Sequence, residues 1–494
     1  MGTRQWLSSA IVFCIAAVLA GVTGSSAAVL QVCGSGCAYT SIQAAIDAAA
    51  SGDTVRVADG VYVELVDFKG KAVTVRSVNG PARTTIDGNA LGSVVTFAGG
   101  EGRTSVLEGF TVTNGNSTGG GGGIACVDSS PTIRRCVIRG NTSLYFGGGI
   151  YCQGSSALIE NCTVNGNSSS SGSGGGIGCQ VYASPSIVNC TISGNRAEMY
   201  AGGIYCNLGS NIAVVSSTVS GNMAGVDGGG LWAAESAATV VNTIVWGNAA
   251  AGNNDQVNLA SGTLAVSHSD VEGGWTGDGN IDAAPLFLDP RNASAAPTAG
   301  GDYRIAAGSP CIDAGADTGG SSYDITGDPR PQGAGYDIGS DEVALLRNGS
   351  FEQGDAPVPP GWRGIGLSPR DAKVSTAHTG FASFRMVGST TGKELAQKFS
   401  FKGAAGDALD LACWHKVSRA SAGGAFFGAA LTVFHADGTT ATHRVPFTTE
   451  TRDWRQNRRV FSAAKKYTAV KVSLIYANRT GGAWFDDVRL SIRR

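Results

Sequence analysis

The residues best placed for catalysis are His268, Asp270 and Glu272. Two further carboxylates, Asp278 and Asp282, follow shortly after them. Residues two apart on a strand point to the same face, so alternation predicts that His268 and Asp270 share one. An imidazole beside a carboxylate could exchange protons with a substrate. The alternative interpretation is a solvated strand end that leads into a glycine-rich loop.

Tryptophans near the C terminus could bind sugars, because aromatic rings offer broad apolar faces for packing. The candidates are Trp362, Trp414, Trp454 and Trp484. Trp414 and Trp484 lie in alternating stretches, which predicts that they belong to a core. Trp454 lies in a polar stretch and is predicted to be exposed. Arg452 and Arg455 flank it and could pair with uronate or sulfate groups, although a solvated basic loop is the alternative.

The cysteines fall into two sets. Cys33 and Cys37 bracket a Gly-Ser-Gly loop and could form a small disulfide. Six others form pairs spaced 10 or 11 residues apart: Cys126/Cys136, Cys152/Cys162 and Cys179/Cys190. Two interpretations of these pairs stay open, namely columns of small buried side chains or disulfides within each repeat of an exported protein. A metal site is disfavoured, because no histidine lies nearby and the spacing fits no zinc pattern.

The charge of the chain differs between its two parts. Residues 1–344 carry 14 Lys+Arg and 27 Asp+Glu, a net of −13, whereas residues 345–494 carry 22 and 11, a net of +11. This asymmetry indicates two domains with different surfaces. The basic part could bind an acidic polymer or an anionic cell envelope. A surface composition peculiar to each domain is the alternative.

Residues 1–28 are typical of an export signal. Arg4 supplies the positive charge, residues 10–20 are apolar, and residues 25–28 are small enough for cleavage. The apolar stretch is too short to span a membrane as a helix, and no later segment is long enough. The sequence therefore predicts a secreted or cell-surface protein with no transmembrane segment after signal removal, in a compartment where disulfides persist.

A repeat of 26 or 27 residues runs through the middle of the chain. Gly-Gly-Gly-Ile-Ala-Cys at 121–126 recurs in related form at 147–152, 174–179, 202–206 and 228–233. A short period with apolar runs and no helical pattern predicts one coil of a β-solenoid, with coils ~4.8 Å apart. We expect inward columns of Ile and Cys, and stacked amides. The amides that follow each copy are Asn116, Asn141, Asn167, Asn195, Asn222 and Asn248.

The two ends of such a stack need covering, because an end coil exposes apolar core and unpaired backbone. Residues 41–49 have the spacing of a short amphipathic helix, with Ser41 as its N-cap, which would cover the first coil. Residues 285–342 are rich in Pro and Gly and predict an exit cap.

The regular coils contain few groups that could do chemistry. Residues 115–250 hold five acids, four arginines and no Lys or His. A glycoside hydrolase needs a pair of carboxylates flanking the scissile bond, and hard oxygen ligands are what Ca²⁺ requires. The acids do not recur at one position of the repeat, so we interpret them as scattered surface charges. They are Asp128, Glu160, Glu198, Asp227 and Glu235.

The Gly-Gly-Ile-Tyr-Cys and Asn-Cys-Thr repeats resemble the right-handed parallel β-helix (pectin-lyase-like) superfamily, in particular the repeats of polymorphic outer-membrane proteins. Ser-Pro-Cys-Ile-Asp-Ala-Gly at 309–315 and Asp-Ile-Gly-Ser-Asp-Glu at 337–342 are also typical of such bacterial proteins. The resemblance covers residues 29–342 and implies the fold. It does not imply one activity, because lyases, hydrolases, epimerases, adhesins and inert stalks share this fold.

Residues 345–494 alternate in short runs, which favours an antiparallel β-sandwich. The opening at 348–352 and the ending at 484–490 resemble carbohydrate-binding jelly rolls of the galactose-binding-like kind. In those domains the first and last strands lie side by side and matching acids often hold a structural Ca²⁺. The resemblance implies such a site from Glu352, Asp486 and Asp487, with a solvated or salt-bridged acid pair as the alternative.

The sequence thus predicts an all-β protein, with a signal peptide at 1–28, a capped right-handed parallel β-helix at 29–342 and a jelly roll at 345–494. We expect a secreted, non-catalytic surface or matrix protein whose β-helix stalk carries a polysaccharide-binding module. The expected partner is a polysaccharide, acidic ones included, and not a nucleic acid. The alternative is an extracellular polysaccharide lyase or glycoside hydrolase with the β-helix as its catalytic domain.

Overall fold

The computed structural model describes residues 27–493 apart from 307–308, 320, 329, 332–334, 344–345, 347–350, 352–356, 360, 379–381, 389–391, 419–425, 450–452 and 478–479. Residues 1–26, most of the predicted signal peptide, therefore lie outside the described residues. The described chain is a solenoid of parallel strands, an irregular segment that packs on it, and a sandwich of two antiparallel sheets. This is the all-β architecture that the sequence predicts.

Four parallel sheets run along the solenoid, and each strand pairs with its counterpart one coil away. Sheet A contains Val29–Val32, Thr54–Val57, Thr74–Ser77, Val106–Glu108, Thr132–Arg134, Leu158–Glu160, Ser186–Val188, Asn211–Val215, Ser236–Val241 and Gly262–Ser267. Sheet B contains Gly60–Val63, Thr84–Asp87, Thr111–Thr113, Val137–Arg139, Thr163–Asn165, Thr191–Ser193, Thr218–Ser220, Ile244–Trp246 and Asp270–Val271. Sheet C contains Val66–Asp67, Val95–Phe97, Ile124–Val127, Ile150–Gln153, Ile177–Gln180, Ile204–Cys206, Leu231–Ala233 and Val257–Leu259. Sheet D contains Asn116–Ser117, Thr142–Ser143, Ser168–Ser169, Arg196–Ala197, Met223–Ala224 and Ala249–Ala250.

The Asn-Cys-Thr motif is a corner between sheets A and B, although the apolar residues around it have the spacing of a single strand. The strand that ends at Glu160 and the strand that begins at Thr163 are separated by Asn161, whose φ is 53°. Asn tolerates this left-handed conformation better than β-branched residues do. The same conformation, with φ between 47° and 55°, recurs at this corner in six successive coils, at Arg135, Asn161, Asn189, Ser216, Asn242 and His268.

The interior of the coils is filled by the predicted columns. Ile124, Ile150, Ile177 and Ile204 are in register along sheet C and fully buried. The repeat cysteines lie in two further buried columns and all of them are free thiols. Neighbouring coils, not the two sides of one coil, bring them together, since Cys126 pairs in register with Cys152. The interpretation as buried apolar columns is therefore the one that the structure supports.

The second cysteine column continues as hydroxyl side chains. The backbone N–H of Cys136 contacts Sγ of Cys162, and that of Cys190 donates to Oγ of Ser217 at 3.1 Å. The N–H of Ser217 donates in turn to Oγ1 of Thr243. A thiol and a hydroxyl thus fill the same small buried acceptor position.

We predict that alkylation of the unreduced, denatured protein will modify every cysteine from Cys126 onward, because those thiols are buried and unpaired. Only Cys33 and Cys37, which are joined by a disulfide, should resist until a reductant is added. Mass spectrometry of the labelled peptides measures this directly. A disulfide-linked peptide that joins Cys152 to Cys162 would contradict the structure.

The predicted amide ladder is confirmed for five residues. The Nδ2 group of each asparagine donates to Oδ1 of the next at 2.9–3.0 Å, and its backbone N–H donates to the same atom at 3.0–3.1 Å. The ladder is Asn141, Asn167, Asn195, Asn222 and Asn248. Asn116 was wrongly included, because it pairs with Thr142 in sheet D. The N–H of Gly115 instead donates to Asn141.

A short helix, Ile42–Ala48, covers the first coil as predicted. Ser41 is its N-cap and accepts the N–H of Ala44. The buried side chains of Ile42, Ala45 and Ile46 join the same core as the solenoid interior. The helix thereby removes the apolar end of the stack from water.

The exit segment does more than cap the last coil, because it also folds back along the outside of sheet B. A hairpin of Phe287–Asp289 and Asp302–Ile305 follows the solenoid. Beyond it, Arg330 is fully buried between Glu342, at 2.9 Å, and the corner residue Asn189, at 3.1 Å. Because all of these polar groups are hydrogen-bonded, the burial of charge is tolerated.

Two five-stranded antiparallel sheets form the C-terminal sandwich, in agreement with the predicted jelly roll class. In spatial order, sheet E contains Arg363–Ile365, Lys393–Gly403, Tyr467–Tyr476, Phe427–His435 and Thr440–Pro446. Sheet F contains Ala372–Val374, Ser383–Val387, Gly482–Arg493, Ala408–Ser418 and Arg455–Ser462. Leu409, Leu411 and Cys413 on sheet F and Val470 and Val472 on sheet E contribute to the core between them.

Candidate functional site

Aromatic and cationic side chains gather on sheet F on the side away from the sandwich core. On the three middle strands, Trp484 lies in register between Arg385 on one side and Lys416 on the other. All three side chains are half-buried and none belongs to the core cluster. The outer face of the sheet therefore presents an aromatic ring between two cations.

A second row on the same face places Trp414 between Asp486 and Gln456. The imidazole of His378 stacks on the Trp414 ring, with 3.7 Å between centroids and an interplanar angle of 14°. Trp454 meets the same imidazole edge-on, with centroids 5.9 Å apart. We call the aromatic and cationic side chains of the two rows and this cluster the tryptophan face: Trp414, Trp454, Trp484, His378, Arg385 and Lys416.

Two buried aspartates hold His378 in this position. Asp487 has φ of 45° at an irregularity in the pairing with the neighbouring strand, and this bulge brings both aspartates to His378. Oδ2 of Asp487 lies 2.8 Å from Nδ1 of His378, and Oδ2 of Asp486 accepts the His378 backbone N–H at 2.7 Å. The imidazole is thus fixed through its ring face and through one nitrogen, which makes it part of a rigid platform.

The structure changes the roles that the sequence predicts for the tryptophans. Trp414 and Trp484 were wrongly predicted to be core residues, because they are half-buried on the outer face of sheet F. Trp362 is the core tryptophan, packed against Phe351. Trp454 is half-buried beside the exposed Arg455, and Arg452 lies outside the described residues.

The calcium site expected from Glu352, Asp486 and Asp487 stays a prediction. Glu352 lies outside the described residues, and the two aspartates are engaged with His378. Ca²⁺ takes roughly six to eight oxygen ligands, which two such carboxylates do not supply. Among the described residues, no group of three His, Cys, Asp or Glu side chains could hold a metal ion.

A second aromatic stack, which sequence analysis missed, lies on the outer face of sheet C. Tyr151, Tyr205 and Trp232 occupy equivalent positions between the inward Ile (or Leu) and Cys (or Ala) of their coils. Tyr205 and Trp232 stack with centroids 4.9 Å apart, and Phe146 fills the gap left by Gly178. These three rings are only 5–8% exposed, so the stack mainly stabilises the coils. The sequence does contain a signal for this stack, because an aromatic residue directly precedes Cys152, Cys206 and Ala233.

The three predicted catalytic residues have three different environments. His268 occupies the last corner, with φ of 47°, so it does not share a strand face with Asp270 as predicted. Asp270 is fully buried and accepts hydrogen bonds from the Cys311 thiol and the Ala283 N–H. Glu272 is half-buried, and its Oε2 accepts from Gly247 and Gln256. The structure gives them no shared geometry for proton exchange, and a catalytic role stays a prediction.

Burial raises the pKa of Asp270 to about 6. Burial is also the main cause that raises the pKa of Asp337 in the exit segment to about 6. The pKa values of Asp324 and Asp341 are raised for the same reason. The exit segment therefore carries several carboxyl groups whose charged form the folded state disfavours.

We predict that the protein becomes more stable as the pH falls from 7 to 5. An aspartate whose folded pKa is raised from 3.8 to about 6 keeps its proton in the folded state after the unfolded state has lost it. This group stabilises the folded state by up to ~3 kcal/mol in total. The contribution is complete below about pH 4 and is lost as the pH rises through about 6. Urea unfolding at both pH values measures the change.

The variant Asp270→Asn is the matched control for this prediction. It is neutral at every pH and keeps an acceptor for the Ala283 N–H. Its free energy of unfolding should therefore rise less between pH 7 and pH 5 than that of the wild type. Equal pH dependence of the two proteins would show that Asp270 is not the titrating group.

A family model described as "Right handed beta helix region" matches residues 77–250. The chain accordingly contains a right-handed parallel β-helix, which is the class that its coils define. No sequence among curated proteins matches the chain. In the part of the chain that the structure describes, no helix has the length and hydropathy needed to cross a membrane.

Three solved structures to which this chain is similar are the following. A family 16 carbohydrate-binding module is 21% identical over 30% of this chain and 98% of the module, with a TM-score of 0.24. The CBM22-1 xylan-binding domain of Paenibacillus barcinonensis Xyn10C is 16% identical over 29% of this chain and 90% of that domain, with a TM-score of 0.23. The enzymatically active domain of bacteriophage CBA120 tailspike protein 4 is 12% identical over 90% of this chain and 64% of that domain, with a TM-score of 0.24.

Proposed function

We propose that the protein binds polysaccharide through the tryptophan face and does not cleave it. The observation that carries this proposal is the Trp414–His378 stack, because it holds two aromatic rings on the outer face of a sheet. Core packing does not require tryptophan there, since Leu409, Leu411 and Cys413 already fill the inner face of the same strand. An outward, rigid ring suits stacking against the apolar face of a sugar.

The cations of the tryptophan face favour a polysaccharide that carries acidic groups. Arg385 and Lys416 flank Trp484, and Arg455 lies beside Trp454. Guanidinium groups bind carboxylate and sulfate in a bidentate manner. The net charge of +11 over residues 345–494 also attracts an anionic polymer at long range. Uronate-containing or sulfated glycans are therefore the ligands that we expect to bind best.

The charges of the solenoid support a role without cleavage. The structure describes all of residues 115–250, and no two of their five acids occupy equivalent positions on adjacent coils, since Asp128 and Glu235 at the corner after sheet C are four coils apart. Glu160 ends a strand of sheet A, Glu198 follows a strand of sheet D, and Glu235 follows a strand of sheet C. Carboxylates that act as a pair must face the same glycosidic bond. We therefore propose that the β-helix is a stalk.

The proposed setting is outside the cell. The sequence predicts an export signal at residues 1–28, and the disulfide between Cys33 and Cys37 suits an oxidising compartment. The solenoid would support the binding domain through the exit segment, since Arg489 of the sandwich donates to the Pro331 carbonyl of that segment.

A glycan array probed with the full chain tests binding, and assays for reducing sugar and for unsaturated uronate test cleavage. We expect retention on uronate-containing or sulfated glycans without product. Release of unsaturated product would overturn the proposal in favour of a polysaccharide lyase. Release of reducing ends without unsaturation would favour a glycoside hydrolase.

A further inference from the structure

A cleft of about 590 Å³ lies at the C-terminal end of the solenoid, where the amide ladder ends. Pockets that bind small molecules commonly have volumes of ~300–1,000 Å³. The cleft is formed by the last turns of the coils and by the loop that follows Asp270–Val271. Its polar and aromatic lining residues are Asn248, Asp255, Gln256, Glu272, Trp275 and Asn292.

The amide ladder is polarised toward this cleft. Every amide from Asn141 to Asn248 donates to the next one, and the last, Asn248, donates to Oε1 of Gln256 at 2.8 Å. Nε2 of Gln256 then donates to Oε2 of Glu272 at 2.7 Å, and the Gly247 N–H donates to the same oxygen at 2.8 Å. Aligned hydrogen bonds strengthen one another, so the chain of amides stabilises the Glu272 carboxylate.

The second oxygen of Glu272 has no hydrogen-bond partner among the described residues, and Glu272 lines the cleft. The same is true of the second oxygen of Asp255, whose Oδ1 accepts the Ala250 N–H. The half-buried Trp275 packs partly against the solenoid core and also lines the cleft. The cleft thus combines two fixed acceptors with an aromatic ring.

We propose that this cleft binds one or two residues of a neutral saccharide, as a second site distinct from the tryptophan face. Sugar hydroxyls would donate to Glu272 and Asp255, the Nδ2 group of Asn292 would donate a further hydrogen bond, and Trp275 would pack against the ring. The two carboxylates exclude an acidic sugar by repulsion. This inference goes beyond the proposed function, because it assigns a second site, on the solenoid, for a neutral saccharide.

Hydroxyl-radical footprinting of the full chain separates the two sites, because oxidation of Trp275 and of Trp454 is measured on different peptides. The probes are cellohexaose, xylohexaose, mannohexaose and β-1,4-galactotriose, with oligogalacturonate as the acidic probe. We expect at least one neutral probe to protect Trp275 in a saturable manner, with no such protection by oligogalacturonate.

The variant Glu272→Gln tests the role of the carboxylate. It replaces the free acceptor by a donor while keeping the shape, and we expect ~10-fold more saccharide to be needed for half-protection of Trp275. The matched control Glu235→Gln changes an exposed carboxylate elsewhere on the solenoid and should leave the midpoint unchanged. If Glu272 only supports the fold, Glu272→Gln would lower the melting temperature but would not change the saccharide concentration needed for half-protection of Trp275.

The outcomes distinguish failure of this inference from failure of the proposed function. Protection of Trp454 without protection of Trp275 by any neutral probe would overturn the cleft and leave the tryptophan face standing. Protection of Trp275 alone would support the cleft and contradict the tryptophan face. Protection of neither residue would overturn both the cleft and the tryptophan face as saccharide-binding sites.

Discussion

Replacing Gly175 with alanine is expected to disrupt the middle coils, with a loss of more than ~4 kcal/mol in the free energy of unfolding. A Cβ atom at this position would overlap the backbone of Arg196 in sheet D, and it would lie 2.7 Å from the Arg196 nitrogen. Backbone atoms cannot move aside without breaking the strand pairs that hold the next coil. The glycines of the repeat are therefore required by close approach as well as by turn geometry.

The matched control is Gly102→Ala. A Cβ atom there would meet nothing within 4 Å, and the position does not have the left-handed φ that disfavours alanine. We expect a change within ~1 kcal/mol, in the stabilising direction if any. Urea unfolding followed by circular dichroism measures both variants. Equal stability of the two would contradict the packing of the coils.

Replacing Trp414 with alanine is expected to weaken polysaccharide binding by roughly 30-fold, or about 2 kcal/mol. The change removes the ring that stacks on His378 and with it the flat part of the tryptophan face. Trp454→Ala should have a smaller effect, because Trp454 touches the same imidazole only edge-on. Equilibrium depletion from a suspension of the polysaccharide gives the dissociation constants.

Tyr182→Ala is the control for this prediction, because Tyr182 is an aromatic residue that is 78% exposed on the solenoid. Its removal should leave binding unchanged. Melting curves must show that the sandwich of the Trp414 variant is still folded, which we expect because Trp414 lies outside the core. A folded Trp414→Ala protein that binds as tightly as the wild type would remove the tryptophan face from the mechanism.

The stacking of the coils could be predicted from the sequence because every coil repeats the same inward residues. The corners between sheets A and B could not be predicted, since the regular spacing of inward side chains continues through them. Ile159, Cys162 and Val164 are all buried, although Asn161 turns the chain between sheets A and B. The spacing of apolar residues therefore resembles that of one strand, and only the recurrence of Asn marks the left-handed residue.

The tryptophan face was only partly predictable. Alternation predicts that neighbouring side chains point to opposite faces of a sheet, but it does not predict which face is covered. Trp414 was wrongly assigned to the core for this reason, although Cys413 points inward. His378 lies in a loop, and its contact with Asp487 spans 109 residues, which no local pattern reveals.

The path of the exit segment was also beyond sequence analysis. Its Pro and Gly residues predict an irregular segment, but not that it packs along sheet B. The segment is held there by specific polar contacts, such as Arg330 with Asn189 and Ser340 with Thr191. Such contacts join residues more than 100 positions apart and have no periodic signature.

Binding without cleavage is tested most directly on the polysaccharide that the array retains best. Bound protein and released sugar are quantified in the same tube for the full chain and for Trp414→Ala. We predict saturable binding by the wild type, roughly 30-fold weaker binding by the variant, and no release of sugar by either protein. Sugar release that rises with time would show that the protein is an enzyme, and binding that does not depend on Trp414 would show that the tryptophan face is not the binding site.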